Sequence, residues 1–281
     1  MSETLPIFDR RILVDTKDEK ACNLGCKFCF ATATHEFYRA RAAKGVIDLV
    51  TAKERIEETL RTVGDSVHSI NSSCSQELFL DEQFGINKIQ WLAQFGTNVS
   101  FSTRIALSEA TLDALRNIDQ RMRESRKKLL VLTSIITNKQ RTDLEGKTST
   151  PQDRIRTLQG LRNRDIAAGV LMRPILPEGL LPTTEITNLI DAVKDITPVL
   201  TIGREFMFTD SIGSRLGIAR TDPDIAPHIR GESVGLGFVG SDNNWHRYVD
   251  PRIPELVEFG RDKKIPTFTS TREALELLST L

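Results

Sequence analysis

Short apolar runs recur along this chain near residues 11–15, 67–73, 98–103, 129–135, 169–175 and 199–206, each bounded by polar or turn-forming residues, as buried strands are. Between them the apolar positions change to a helical spacing. Thr51 and Glu54 form a predicted capping box ahead of Ile56, Leu60 and Val63, and Ser108 precedes Leu112 and Leu115. Thr150 stands before Pro151, a residue preset for the first helical position, and Ile155, Leu158 and Leu161 follow on one face. Ile186, Leu189, Ile190 and Val193 mark the next helix. Six alternating strand and helix units predict an α/β fold with parallel strands and right-handed crossovers.

Parallel α/β barrels take their reactive groups from the C-terminal ends of the strands. Here those ends are followed by a cysteine-bearing loop, by Cys74-Ser75-Gln76-Glu77, by Ser102-Thr103-Arg104, by Ser134, by Arg173 and by Glu205. Few of these are core residue types.

Composition narrows the class. The 281 residues are 39% hydrophobic, enough for one sizeable domain with or without an extension. Thirty-eight basic and thirty-eight acidic side chains cancel, so no overall field draws the chain to a phosphate backbone, and duplex DNA is not favoured as a partner. The basic run Arg121–Lys128 is expected as a solvated connection between helix and strand. No run of about eighteen apolar residues occurs, and residues 1–12 lack an export-type segment, so a soluble cytoplasmic protein is expected.

The four cysteines are Cys22, Cys26, Cys29 and Cys74, too few in a chain this long for a disulfide framework. The first three share one loop at C-x3-C-x2-C spacing. An iron-sulfur cubane has four irons and normally takes four cysteines, so three leave one iron open to something other than protein. The alternative is a noncatalytic protein in which all four hold structural zinc, although such sites usually pair two short cysteine hooks. His35, His68, His228 and His246 are scattered without ligand spacing.

The segment Cys22-Asn23-Leu24-Gly25-Cys26-Lys27-Phe28-Cys29, with an aromatic residue before its last cysteine, resembles the radical S-adenosylmethionine superfamily. The resemblance implies a 4Fe-4S cluster on Cys22, Cys26 and Cys29 and S-adenosylmethionine on the open iron. An electron, from a donor such as flavodoxin or ferredoxin, would generate a 5′-deoxyadenosyl radical that abstracts a substrate hydrogen. It also implies a partial (β/α)6 TIM-type barrel over residues 1–206, with 207–281 as a C-terminal extension.

Within that superfamily the chain looks like the spore photoproduct lyase branch. The likeness is carried by Ser73–Glu77, Phe101–Arg104, Thr133–Ile135 with Asp143–Gly146, Ser149–Arg154 and Gly169–Pro177, spanning about residues 12–180. It implies that Glu77, in a Ser-Gln-Glu that replaces the common Gly-Gly-Glu, meets the cofactor's amino group. Arg104 would meet the cofactor carboxylate and Ser134 its ribose, with Phe28, Gln76, Ser102 and Arg173 completing the cofactor-side set. Cys74 falls where the branch keeps a cysteine that returns a hydrogen atom to the product radical; the plain reading is a buried apolar thiol. The likeness has limits: Phe30 and Tyr38 stand where the branch has tyrosines, and no resemblance extends beyond Met207.

Residues 207–246 are rich in Gly, Asp, Pro and Ser and are expected as long loops placed to act as a lid. Gly235-x-Gly237-x-x-Gly240 lacks the strand and helix context of a dinucleotide site. A last strand over Ile265–Thr269 and a helix opened by Ser270 and Glu273 are predicted to close the fold. The expected activity is a redox-neutral epimerisation or lyase reaction on a small-molecule or nucleoside-type substrate, with nucleic-acid lesion repair as the alternative.

Overall fold

The computed structural model describes residues 5, 7–14, 16, 22–29, 47–72, 76–218, 225–227 and 245–281. Cys74, Phe30, Tyr38, His35, His228 and the Gly235–Gly240 triplet lie outside the described residues.

One sheet organises the chain. β1 (Ile7–Phe8) pairs antiparallel with β2 (Arg11–Val14), and β2 then begins a parallel series. β3 (Ser69–Ser72), β4 (Asn98–Thr103), β5 (Leu129–Ser134), β6 (Ala167–Met172) and β7 (Leu200–Ile202) follow side by side. β11 (Thr267–Phe268) pairs parallel with β7 and ends the sheet. The result is an open, partial TIM-type barrel of seven parallel strands, one more than the six-unit reading, because the last predicted strand joins the barrel sheet itself.

The helices cover the outside. They are α1 (Leu49–Val63), α2 (Glu82–Leu92), α3 (Glu109–Glu124), the short α4 (Thr142–Glu145), α5 (Pro151–Arg162) and α6 (Thr183–Val193). Ser108 and Thr150 cap α3 and α5 as predicted, accepting from Thr111 N at 3.2 Å and Asp153 N at 3.1 Å. The cap of α1 is Asp48 instead of Thr51. Its carboxylate accepts from Thr51 N at 2.9 Å, so the helix starts a turn earlier than the Thr51–Glu54 box suggests. Ser270 makes no side-chain cap bond. The basic run is also partly helical: Arg121–Glu124 close α3, where Arg123 pairs with Asp119 at 2.6 Å.

The expected sixth strand, 199–206, is broken. Gly203 ends β7, and Phe206–Thr209 forms β8 of a separate antiparallel sheet with β9 (Ile225–Pro227) and β10 (Trp245–Tyr248). Helix α7 (Asp210–Leu216) follows β8, so regular structure occupies part of a region expected as loops. α8 (Ile253–Asp262) and α9 (Thr271–Thr280) complete the chain. Among the described residues, no helix is long and apolar enough to cross a membrane.

Strand alternation sorts the core into two layers. Ile12, Val14, Ile70, Val99, Phe101, Leu129, Val131, Val170 and Ile202 face outward and pack with Ile56, Leu92, Leu115, Leu158 and Leu189 of the helices. The inner face is different. Leu130, Leu132, Ala167 and Val199 meet Ala274, Leu275 and Leu278 of α9, which fills the barrel toward the N-terminal ends of the strands. On the same face Asn71, Ser100 and Ser102 stand level with this apolar layer, and Ser134 and Thr201 follow it toward the C-terminal ends.

Candidate cofactor site at the barrel mouth

The cysteine loop follows β2 and lies against the turn that ends α4. Lys27 N donates to Leu144 O at 2.9 Å and Lys147 N donates to Leu24 O at 2.7 Å, while Cys29 N closes the loop on Cys26 O at 3.1 Å. The Cys26 thiol donates to Glu145 O at 3.2 Å. This clasp demands glycine at position 146. Gly146 has φ +64°, and a Cβ there would stand 2.1 Å from Leu24 O.

None of the three cysteines is in a disulfide. Cys26 is buried, whereas Cys22 and Cys29 are half-exposed. Burial pushes the Cys26 thiol up to about 11, opposed by the Arg104 guanidinium and reinforced by the charges of Cys29, Glu145 and Cys22. Burial also raises Cys22, opposed by a hydrogen bond from the Leu24 backbone. The charge of Cys29 thus acts on both Cys22 and Cys26. No three histidine, cysteine or acidic side chains among the described residues converge on a single metal-ion position. An iron-sulfur cubane takes its cysteines on separate irons. Three cysteines on one clasped loop are a donor set that fits such a cluster.

Beneath the loop lies a buried ionic network. Phe28 is 5% exposed, and the Arg104 guanidinium sits 5.0 Å from its ring centroid. Arg104 Nη1 donates to Glu145 Oε1 at 2.9 Å and its Nη2 donates to Arg173 O. Glu145 also receives a two-pronged grip from Arg154, which in addition donates to Ser134 O at 2.7 Å. Two guanidiniums thus enclose one carboxylate. Glu145, Gly146 and Arg154 have no role in the sequence reading, although all three fall within the stretches that carry the resemblance.

Glu77 faces this network from the other side. Its carboxylate accepts from Arg104 N at 2.7 Å, Thr103 Oγ1 at 2.8 Å and Phe79 N at 3.3 Å. Burial pushes its carboxyl up, and these three donors pull the other way. Gln76 beside it is half-buried.

The remaining candidates spread over the inner wall. Ser102 is half-buried on β4; Ser134 is buried on β5, its hydroxyl without a partner among the described residues. Arg173 leads away from the loop. Its side chain passes Gly203, where a Cβ would stand 3.0 Å from Arg173 Cγ, and its Nη2 donates to Thr269 O at 3.0 Å beyond β11. The structure therefore gathers Cys22, Cys26, Cys29, Phe28, Glu77 and Arg104 at one place and sets Arg173 apart.

Fold and site together define an open parallel α/β barrel with a three-cysteine loop clasped at its C-terminal mouth. Solved structures of spore photoproduct lyase share this fold. One, complexed with dinucleoside spore photoproduct, matches with a TM-score of 0.60 and 14% identity over 93% of this chain and 83% of that one. A double variant of that enzyme with bound AdoMet and dinucleoside spore photoproduct matches at 0.58 and 12%, over the same shares. At these identities the likeness is one of fold. No protein-family model matches the chain, and no curated protein matches it in sequence.

Proposed function

We propose that this chain is a radical S-adenosylmethionine enzyme of the spore photoproduct lyase type, acting on a nucleoside-type or small-molecule substrate in a redox-neutral reaction. The observation that carries this reading is the clasp: three cysteines on one loop, held by main-chain bonds to Leu144–Lys147 at the end of the barrel where parallel α/β folds do their chemistry. The fold shared with spore photoproduct lyase supports it.

Cys22, Cys26 and Cys29 would hold the 4Fe-4S cluster, with S-adenosylmethionine against Phe28, Gln76, Glu77, Ser102, Arg104 and Ser134. When bound, these groups supply a 5′-deoxyadenosyl radical for hydrogen abstraction. The protein's own work is positional. Glu77 presents a buried carboxylate beside the loop, Arg104 holds loop and wall together, and the polar end of the inner face leaves Ser134 unanswered for a ligand hydroxyl. Cys74, just after β3, is the candidate hydrogen donor to the product. The dinucleoside bound by spore photoproduct lyase in those structures supports a nucleoside-type substrate. A flavodoxin- or ferredoxin-type donor would supply the electron.

Anaerobic reconstitution tests the reading. Iron and sulfide in equal amounts, with 5′-deoxyadenosine formed from S-adenosylmethionine under dithionite, are the expected results. A colourless protein that retains one zinc after reconstitution rejects it. The Cys74→Ala variant is expected to keep forming 5′-deoxyadenosine while losing the correct product; unchanged product would remove Cys74 from the mechanism.

A further inference from the structure

Two arginines near the mouth of this barrel have a buried guanidinium nitrogen, and they are answered differently. Arg154 has a carboxylate gripping both of its terminal nitrogens. Arg173 forms no ion pair with any described residue: one terminal nitrogen reaches a backbone carbonyl, and its Nε, like that of Arg154, is buried without a partner. A desolvated guanidinium without an anion is costly, and its planar fork matches a carboxylate or a phosphate ester.

Its neighbourhood points the same way. Thr201 shares the inner face with Leu171 across the β6–β7 pairing, and its hydroxyl is also buried without a partner among the described residues. Burial, with the charge of Arg11, lowers the Arg173 cation to about 10 against the opposing charges of Asp9 and Glu205. Both acids have arginines of their own, Asp9 with Arg11 at 3.9 Å and Glu205 with Arg247 at 3.9 Å. Among these described groups Arg11 and Arg247 each have a carboxylate partner, and Arg173 has none.

We propose that Arg173 is the receptor for an oxyanion carried by the substrate, a phosphate ester or a carboxylate, bound against β7 with Thr201 on the same wall. This rests on the enzyme reading only in treating the barrel interior as the substrate chamber. It moves Arg173 from the cofactor side, where its strand-end position first placed it, to the substrate side.

Calorimetric titration of the protein with inorganic phosphate and with acetate tests this in wild type, Arg173→Met, Arg173→Lys and the surface variant Arg156→Gln. Saturable binding of phosphate, acetate or both is expected in wild type, and the preferred anion identifies the group. Arg173→Met should weaken it at least about tenfold, with Arg173→Lys intermediate and Arg156→Gln unchanged. Arg173→Met keeps the stem that packs on Gly203 and removes an unanswered charge, so it should melt no lower than wild type in the absence of anions. Equal anion affinity in wild type and Arg173→Met, or no saturable binding by wild type, overturns the proposal. Loss of S-adenosylmethionine affinity in reconstituted Arg173→Met with anion binding intact also overturns it, by assigning the guanidinium to the cofactor carboxylate. Formation of 5′-deoxyadenosine by wild type is read separately, so failure of the enzyme reading leaves the anion result standing.

Discussion

Glu145 and Arg154 join through two parallel hydrogen bonds of 2.8 and 2.6 Å, with neither side chain reaching solvent. The carbonyl of the same glutamate receives the Cys26 thiol, and its carboxylate also receives Arg104. One residue thereby connects the cysteine loop, the segment that follows β4, and α5. Removing one partner of such a buried pair strands the other charge, so Arg154→Met and Glu145→Gln are each expected to lower stability by about 3–5 kcal/mol. The double variant should lose less than the sum, because the two changes remove the same interaction. Urea unfolding of the three variants measures both effects; additive losses would mean the pair is not coupled.

Gly146 is the narrowest point of the clasp. Gly146→Ala places a methyl group where Leu24 O now lies and forces an L-residue to a positive φ, so the loop must move off α4. We expect the variant to fold, because the barrel layers do not involve this contact, but to bind much less iron and sulfide than wild type after reconstitution. A full iron complement would show that the clasp does not shape the loop.

Leu275 sits in the inner apolar layer at 1% exposure. If α9 is structural filling of the barrel, Leu275→Ala should cost about 2–5 kcal/mol, the range for an enclosed leucine. A loss under about 1 kcal/mol, within the range of ordinary surface changes, would mean that the helix rests loosely on the sheet.

His68 ties the start of β3 to α9 through Ser279 Oγ at 3.2 Å, and burial lowers its proton affinity. The folded protein keeps the ring neutral while the unfolded chain protonates it below the ordinary 6.5. Its stabilising contribution is therefore complete above that pH and is lost as pH falls through 6.5 toward the lowered folded value. Denaturation midpoints of wild type and His68→Gln at about pH 8 and about pH 5 should converge on acidification. A constant gap between them would exclude this linkage.

Local features of this fold were readable from residue order, and long-range ones were not. The run 98–103 and strand β4 share their bounds, since an alternating apolar face needs no distant partner to declare itself. The break at Gly203 was hidden because Val199–Ile202 and Phe206–Phe208 read as one apolar stretch, although they enter two different sheets. Asp48 and Thr51 are both good cap residues three positions apart, and only backbone geometry decides between them. At the site, the cysteine spacing and the strand-end positions of Glu77 and Arg104 could be read directly. That Arg104 is answered by Glu145, forty-one positions away, depends on how two units pack, and no local pattern encodes it.

The filling of the inner face has a further meaning for selectivity. In the substrate chamber that the proposed function requires, Leu130, Leu132 and the apolar side of α9 would form the floor beneath Ser134 and Thr201. The depth of the chamber is set by a helix contributed from the far end of the chain, not by the loop that carries the cysteines. The dimensions of the guest and the reactivity brought to it are thus encoded in separate parts of the sequence, and one can change while the other is kept.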